Sequence, residues 1–249
     1  MKKILPIVLI YCKILIGISF GQSTANYIRT SSATASLVSM TGSTQLVSAS
    51  RDDFSSELTS IGFDFWYMGV RFNSFSASSN GAISLGSNVI ANSYYGNNFP
   101  FASQNIIAPF LQNMETSASG KVHFTNTGSY PNRVLVVEFL NMGLNKNSTS
   151  SNATFQVILS ETTGVIQFIY GAMAIGNGNG TTERTAVIGF CSSNIVNTVM
   201  SVTHATPFNT NTTATPTSVT YATAGAITTL NSAANGSRVQ ITFTPPVLN

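Results

Sequence analysis

The thiol and imidazole groups of this chain are too few and too scattered to form a recognisable nucleophilic site. The sequence contains two His and two Cys residues. His123 and His204 with Cys191 could form a thiol–histidine pair, but such a pair is defined by a geometry that no spacing here indicates. Cys191 ends the apolar run AVIGFC, where a free Cys usually behaves as a small buried hydrophobe. We therefore predict no catalytic nucleophile, and two isolated His residues do not predict a metal site.

The carboxylates suggest two further kinds of site, one for a cation and one for glycoside hydrolysis. Asp52, Asp53 and Glu57 could supply hard oxygen ligands to Ca²⁺. We favour the alternative, a solvated turn before the first strong strand, because Ca²⁺ usually gathers more oxygen ligands than three carboxylates guarantee. Glycoside hydrolysis needs two carboxylates, one with a raised pKa, and Glu138 is the only one in a strongly apolar strand. We expect no enzyme and no cofactor, with Ca²⁺ and a secreted hydrolase kept as alternatives.

One group of aromatic residues has the composition of a sugar-binding surface. Exposed aromatic rings can stack on sugar rings, and the candidates lie in a Gly/Asn-rich loop: Tyr94, Tyr95, Phe99 and Phe101. The alternative is that these rings cover one end of the folded domain. We favour that alternative because aromatic side chains usually bury their large apolar surface. Exposure of the rings would distinguish a glycan site from a core.

The first 21 residues have the pattern of a secretory signal peptide. Lys2 and Lys3 precede an apolar stretch that runs to Phe20, and Ser19 and Gly21 supply the small residues of a cleavage site. The stretch is short for a bilayer span of about 20 residues, so we predict cleavage and not a retained anchor. We expect the mature chain to be secreted or to lie at the cell surface, with no membrane span.

Removal of that segment changes the charge of the chain. Three of the 11 basic residues lie in it, so eight basic and eight acidic residues remain and the mature chain is formally neutral. A neutral chain has no basic patch to release counterions from a phosphate backbone, which argues against nucleic acid as a partner. Only Cys191 remains of the two Cys residues, so the fold must hold by packing without an internal disulfide.

The elements that must position these residues are predicted to be β-strands. Short runs rich in Val, Ile, Phe, Tyr and Thr alternate with Gly, Asn, Ser and Pro clusters, and no window shows helical spacing between caps. The predicted strands are residues 61–67, 70–72, 76–79, 82–85, 106–110, 121–126, 133–140, 155–159, 165–170, 185–191 and 240–244. The pattern favours an all-β, two-sheet, mainly antiparallel β-sandwich.

Turn signals and loops refine this prediction. Asn80-Gly81 predicts a hairpin with a type I′ turn, and residues 161–164 predict a second hairpin. Residues 133–140 are apolar on both faces, as expected of a central strand. Long loops are predicted at 141–152 and at 203–236, the latter with a weak edge strand such as 218–221.

Four segments of the chain match, in order, the pattern of a known extracellular domain. They are IGFDFWYMGVRFNSFSASSNGAISLG at 61–86, IAPF at 107–110, YPNRVLVVEF at 130–139 and TFQVILSETTGVIQFIYGAM at 154–173. Together they resemble the nidogen-like domain, especially the version that begins many large surface proteins of bacteria with type IX secretion. In this setting we expect Pro109 to start or end an edge strand, because proline cannot donate to a sheet ladder.

The residues and the resemblance together give an expected organisation and function. We expect a signal peptide at 1–21, a nidogen-like β-sandwich at 22–245, and the start of a linker or tail at 246–249. The expected function is a non-catalytic extracellular interaction or adhesion module whose partner is an extracellular protein or a polysaccharide. A carbohydrate-binding module is the alternative, and a secreted hydrolase is the third.

Overall fold

The computed structural model describes residues 26–93, 104–144, 152–175, 184–192, 199–203, 209–213, 218–221, 225–226 and 238–246. These residues form strands in two sheets, and the described strand pairings are all antiparallel. The described part contains no α-helix. The predicted all-β, two-sheet, mainly antiparallel sandwich is confirmed.

The strands, numbered along the chain, divide between sheet A and sheet B. In spatial order, sheet A contains β1 (Ile28–Ala35), β16 (Arg238–Thr244), β10 (Ile166–Ile175), β9 (Asn152–Ser160), β8 (Val134–Gly143), β7 (Glu115–Thr127) and β2 (Thr44–Val47), with β15 (Gly225–Ala226) on β10. Sheet B contains β13 (Asn209–Thr213), β12 (Val199–Thr203), β11 (Arg184–Cys191), β6 (Asn105–Leu111), β5 (Ala82–Leu85), β4 (Val70–Ser78) and β3 (Thr59–Tyr67), with β14 (Ser218–Tyr221) on β11. Strands β3 to β6 and β7 to β10 form two meanders, so much of the sandwich is built from neighbours in sequence.

Alternating side chains give β3 one buried and one exposed face. The exposed residues are Ser60, Gly62, Asp64 and Trp66, and the aliphatic and aromatic residues between them are buried. Successive strand side chains point to opposite faces, so this alternation directs one set into the core and the other to solvent. The exposed face of β3 is therefore a polar strip that ends in an aromatic ring.

Buried tyrosine hydroxyls connect the two sheets through the core. The Tyr170 hydroxyl on β10 donates to the Pro109 carbonyl on β6 at 2.7 Å. Burial raises the pKa of Tyr170 well above its ordinary value. The hydroxyl thus stays neutral and acts as a donor in the apolar interior.

One connection crosses the outer face of sheet A. Strands β1 and β2 lie at opposite edges of that sheet, so residues 36–43 between them pass over the strands in the middle. We call residues 36–43 the strap. Its apolar contacts on the sheet are made by Leu37, Val38 and Met40 with Val136, Ile158 and Ile169. Strand β8 is consequently covered on both sides, as predicted for residues 133–140.

The hairpin predicted at Asn80-Gly81 is present, but its turn is not type I′. Three residues, 79–81, separate the paired residues Ser78 and Ala82. Gly81 has a φ of 84°, whereas Asn80 is not among the residues with positive φ. A type I′ turn needs positive φ at both central residues, so the predicted turn type was wrong and the predicted hairpin was right. Gly81 is required because a Cβ there would lie 2.1 Å from the Phe110 carbonyl oxygen.

Pro109 lies inside sheet B, and the expectation of an edge strand was wrong. Its strand, β6, is flanked by β5 and β11. Pairing with β5 extends from Asn105 to Ile107, and the register with β11 shifts between Val187 and Gly189. Proline is accepted within sheets at such irregularities, because no ladder hydrogen bond is required of its nitrogen.

Several strands were not expected from the sequence. β1, β2 and β12 were not predicted, and the segment predicted as a loop at 203–236 contains β13 and β15 in addition to the expected strand at Ser218–Tyr221. The predicted signal peptide at 1–21 lies outside the described residues. Among the residues described, no helix combines the length and the apolar character that crossing a membrane would require.

Candidate functional site

An open cleft of about 520 Å³ lies at one end of the sandwich. It forms where the exposed face of β3 meets two turns of sheet A, the β7–β8 turn at residues 128–133 and the β9–β10 turn at residues 161–165. The residues that line it are Ser60, Gly62, Phe63, Asp64, Asn73, Tyr130, Arg133 and Glu161. The cleft is wide open to solvent, so a ligand bound in it would stay partly exposed.

Arg133 is held in a fixed position in this cleft. Its Nε donates to Glu161 Oε2 at 2.8 Å, its Nη2 donates to Glu161 Oε1, and its Nη1 donates to the Gly62 carbonyl at 2.7 Å. The backbone N–H of Arg133 also donates to Glu161 Oε2, at 3.0 Å. A forked arginine–carboxylate pair is among the strongest and most directional polar contacts. The side-chain hydrogen bonds from Arg133 lower the pKa of Glu161 below its ordinary value, so the pair is ionic at neutral pH.

Two aromatic rings flank the Arg133 guanidinium. Its Cζ lies 5.7 Å from the ring centroid of Phe63 and 5.7 Å from that of Tyr130, within cation–π range. Phe63 is buried, whereas Tyr130 is 79% exposed. The Thr162 hydroxyl donates to the Pro131 carbonyl and so connects the two turns. Tyr130 therefore presents an open ring on an ordered support.

The cleft has the two carboxylates that hydrolysis of a glycoside would require, but both are paired with arginine. Asp64 Oδ2 lies 3.1 Å from Arg71 Nη1, and Glu161 is paired with Arg133. A general acid needs a raised pKa, whereas the Glu161 pKa is lowered. The charges of the cleft lining are thus compensated pair by pair. This arrangement favours binding of a polar ligand over proton transfer to it.

A second polar cluster lies beneath the strap, on the outer face of sheet A. His123 Nε2 is 2.7 Å from Glu138 Oε2, and His123 Nδ1 is 2.7 Å from Ser43 Oγ. The Gln156 side-chain amide donates to Glu138 Oε1 at 2.8 Å, and it also forms two hydrogen bonds with the backbone of Val38, at 2.8 and 2.9 Å. We call Ser43, His123, Glu138 and Gln156 the latch, because they bind both ends of the strap to the sheet.

The latch has the connectivity of an activated hydroxyl, but its surroundings favour a structural role. His123 Nε2 faces a carboxylate oxygen of Glu138 and His123 Nδ1 faces Ser43 Oγ, which is the connectivity of an imidazole placed to activate a nucleophile. Acyl transfer also requires free donors for an oxyanion, and the Ser43 N–H already donates to the Met40 carbonyl at 3.2 Å. His123 is 3% exposed and Glu138 is 6% exposed. We therefore assign the latch to folding.

The acidic residues near 52 make folding contacts, and Asp53 contacts the turn of the β4–β5 hairpin. Asp53 Oδ1 accepts a hydrogen bond from the Asn80 side-chain amide at 3.1 Å, and Asp52 forms an isolated bridge with Glu115. The buried Asn80 side chain also donates to the Asn92 carbonyl and accepts the Met114 N–H. Within the described ranges, no three His, Cys, Asp or Glu side chains are grouped so that they could hold a metal ion. The Ca²⁺ hypothesis stays a prediction.

The other predicted site residues are not brought together. Tyr94, Tyr95, Phe99, Phe101 and His204 lie outside the described residues. Cys191 is buried on β11 in an apolar cluster of sheet B, on the opposite sheet from His123 on β7. The thiol–histidine pair rejected from the sequence is therefore not formed between those two residues.

Sequence reasoning missed both polar clusters, although each left a signal. His123 and Glu138 are cross-strand partners in the β7–β8 hairpin, where Thr127 pairs with Val134. Counting four residues back from Thr127 and four residues on from Val134 would have placed His123 opposite Glu138. Arg133 directly precedes β8 and Glu161 directly follows β9, its neighbour in the same meander, so the order of the hairpins predicts that the two residues lie close together.

Comparison with known proteins identifies a family and no individual relative. A family model described as NIDO related matches residues 26–245. Neither the curated proteins nor the solved structures include a match to this chain.

Proposed function

The chain belongs to the NIDO-related family, and we propose that it is a non-catalytic extracellular interaction or adhesion module that uses the Arg133 cleft as its contact surface. Membership of a nidogen-related family supports an extracellular-type domain. The signal-peptide pattern of residues 1–21 supports export to or beyond the cell surface. Export by type IX secretion and a place in a larger surface protein are part of the same proposal.

The observation that carries the proposal is the preorganisation of the cleft. Arg133 is held by Glu161 and by the Gly62 carbonyl before any partner arrives, and the adjacent Tyr130 ring remains 79% exposed. Binding costs less when the contacting groups are already fixed. Arginine and tyrosine are also the residue types that contribute most often to contact energy at protein surfaces.

The hydrolase alternative is disfavoured by the same contacts. Glu161 is one of the two carboxylates that line the cleft, and its hydrogen bonds with Arg133 keep it ionised. An ionised, arginine-paired carboxylate cannot donate the proton that a leaving group needs. We expect the purified chain to release no reducing ends from polysaccharides.

Retention of the purified chain on intact cells tests the proposal. We expect the wild type to be retained with and without EDTA, and Arg133→Leu to lose most of this retention, because the substitution removes the support of Tyr130. The matched control is Arg51→Leu. Arg51 also lies over an aromatic ring, 5.2 Å from the Phe54 centroid, but it is exposed and does not line the cleft.

The outcomes separate the alternatives. Equal loss of retention in both variants would indicate nonspecific attraction by positive charge and would contradict the proposal. Loss of wild-type retention with EDTA would instead support the Ca²⁺ hypothesis for Asp52, Asp53 and Glu57. Release of reducing ends that Glu161→Gln abolishes would replace the proposal with a hydrolase.

A further inference from the structure

The geometry points to a neutral saccharide chain as the ligand of the Arg133 cleft, with Tyr130 as its first stacking ring and Trp66 as its second. This inference rests on the proposed function, which it deepens by naming the chemical class of the partner. It places the sugar site on the described cleft and not on the loop aromatics at 94–101. Three features support it: the charges of the cleft lining, the exposed aromatic rings, and the direction of the exposed β3 face from Ser60 to Trp66.

The charges of the lining favour an uncharged ligand. Arg133 is paired with Glu161, and Asp64 is paired with Arg71. Each charge is therefore already compensated, so a charged ligand would gain little attraction and would have to compete with an existing ion pair. The remaining polar lining consists of Ser60 and Asn73, whose hydroxyl and amide groups both donate and accept hydrogen bonds. Sugar hydroxyls have the same dual character.

The aromatic rings favour a ligand with flat, partly apolar faces. Tyr130 is 79% exposed and Trp66 is 54% exposed, the two highest values among the exposed aromatic residues of the described chain. Such rings present a large apolar face at low conformational cost. The pyranose ring of a sugar offers a matching face of C–H groups, and its hydroxyls could exchange hydrogen bonds with Ser60 and Asn73 of the lining.

The direction of the strip favours a chain over a single sugar. Trp66 lies on the same exposed face of β3 as the lining residues Ser60, Gly62 and Asp64. Trp66 does not itself line the cleft. Because side chains two apart on a strand are separated by about 7 Å, its ring lies beyond Asp64 on the same face by roughly the length of one sugar unit. A ligand that contacts both Tyr130 and Trp66 must therefore be an oligosaccharide or polysaccharide.

Trp66 also makes the test direct, because it is the only tryptophan in the chain. The purified full chain is titrated with soluble oligosaccharides of cellulose, chitin, xylan and β-1,3-glucan while Trp66 emission is followed. Retention on the corresponding insoluble polysaccharides is measured in parallel, with alginate and heparin as polyanions. We expect at least one neutral glycan to shift the emission to shorter wavelength and to retain the chain, with little dependence on salt.

Variants connect the binding to the two rings. Tyr130→Ala is expected to weaken binding about tenfold through the loss of one stacking contact, and Tyr130→Phe, which keeps the ring, to change it less than about twofold. Trp66→Phe is followed by retention alone and should keep most of the binding, whereas Trp66→Ala should lower it. Unchanged thermal unfolding of each variant shows that the fold is intact.

Three results would overturn the inference. They are no response to any neutral glycan, a salt-sensitive preference for the polyanions, or binding that Tyr130→Ala leaves unchanged. If no glycan binds but retention on cells still depends on Arg133, the saccharide inference fails and the interaction module stands. If retention on cells is also lost from the wild type, both fail.

Discussion

The cleft and the latch use similar pairs of residues for different purposes. Each contains a glutamate paired with a basic side chain, on or directly beside strands of sheet A. In the cleft, Glu161 just after β9 pairs with Arg133 just before β8, and in the latch, Glu138 on β8 pairs with His123 on β7. The latch pair is buried beneath the strap, whereas the cleft pair lies at the solvent-facing end of the sandwich and supports an exposed ring. Glu161 keeps only 11% of its side-chain surface exposed and Arg133 keeps 35%, against 8% for Glu138 and 4% for His123. Breaking either pair should therefore cost stability, and more so in the latch, where both side chains are buried. Tyr130, which is 79% exposed, should affect binding alone.

The largest effect is expected from breaking the latch at its centre. His123→Leu removes the partner of a buried glutamate and the hydrogen bond between the imidazole and Ser43 Oγ. Loss of one partner of a buried pair typically costs about 3–5 kcal/mol, and urea unfolding measures the change in the free energy of unfolding. The double variant His123→Leu/Glu138→Leu should recover a large part of this loss, because no buried charge remains unpaired. The single variant Glu138→Leu completes the comparison. If the double variant loses as much stability as the two single variants added together, the two side chains are not coupled, which would contradict the assignment of the pair to folding.

A smaller effect is expected from releasing one end of the strap. Gln156→Leu removes both hydrogen bonds with the Val38 backbone and should cost about 1–3 kcal/mol. Hydrogen exchange should accelerate most in residues 36–43, since the strap loses its polar attachment while the sheet keeps its core. Gln167→Leu, on the outward face of the neighbouring strand, is the matched control and should leave the strap protected. Equal exchange in the two variants would show that the apolar contacts alone hold the strap.

The cleft pair should contribute to stability only in a defined pH range. The Glu161 pKa is lowered from 4.5 in the folded chain, chiefly by the Arg133 hydrogen bonds. A lowered folded-state pKa adds stability above the unfolded-state value, and this addition disappears as the pH falls through the folded-state value. Thermal unfolding of wild type and Glu161→Gln should therefore differ above pH 4.5 and converge at more acidic pH. Glu57→Gln, which changes an exposed carboxylate outside the cleft, serves as the control. A difference that grows as the pH falls would have the wrong sign.

The smallest effect on stability is expected at the proposed contact ring. Tyr130 is mostly exposed, so Tyr130→Ala should change the free energy of unfolding by no more than about 0.5 kcal/mol. Denaturant unfolding measures this directly. A loss above 1 kcal/mol would mean that the ring is part of the core of the end turns and is not a free contact surface.

The sequence predicted the fold well where hydrophobic alternation was strong. The strand predicted at 61–67 is present as β3, two residues longer at its start, and the hairpins predicted at Asn80-Gly81 and at 161–164 were found from their turn residues. β1 was missed because Ser, Thr and Ala dominate it, so its strand character comes from pairing and not from an apolar face. β2 was missed because its four residues, TQLV, are too few to show a period. The position of Pro109 depended on a register shift with β11, which no local pattern encodes.

The site was less predictable because it depends on contacts between turns. Glu161 was read only as part of a hairpin turn, and Arg133 only as the start of a strand. Their pairing requires β8 and β9 to be neighbours in one meander. The exposure of Tyr130 also depends on the opposite sheet, because Phe63 of sheet B packs against the Arg133 guanidinium that supports the Tyr130 ring. The loop at 94–101 was considered as a sugar site because of its aromatic composition. The cleft could not be predicted in that way, because the exposure of Tyr130 and Trp66 is a result of the folded structure.

The most direct test of the central contrast is to measure cell retention and unfolding stability together for Tyr130→Ala and Gln156→Leu. The account predicts that Tyr130→Ala loses retention at unchanged stability. It predicts that Gln156→Leu loses stability but is retained normally under conditions where it remains folded. The reverse pattern, with retention kept by Tyr130→Ala and lost by folded Gln156→Leu, would place the contact surface at the strap and contradict the account.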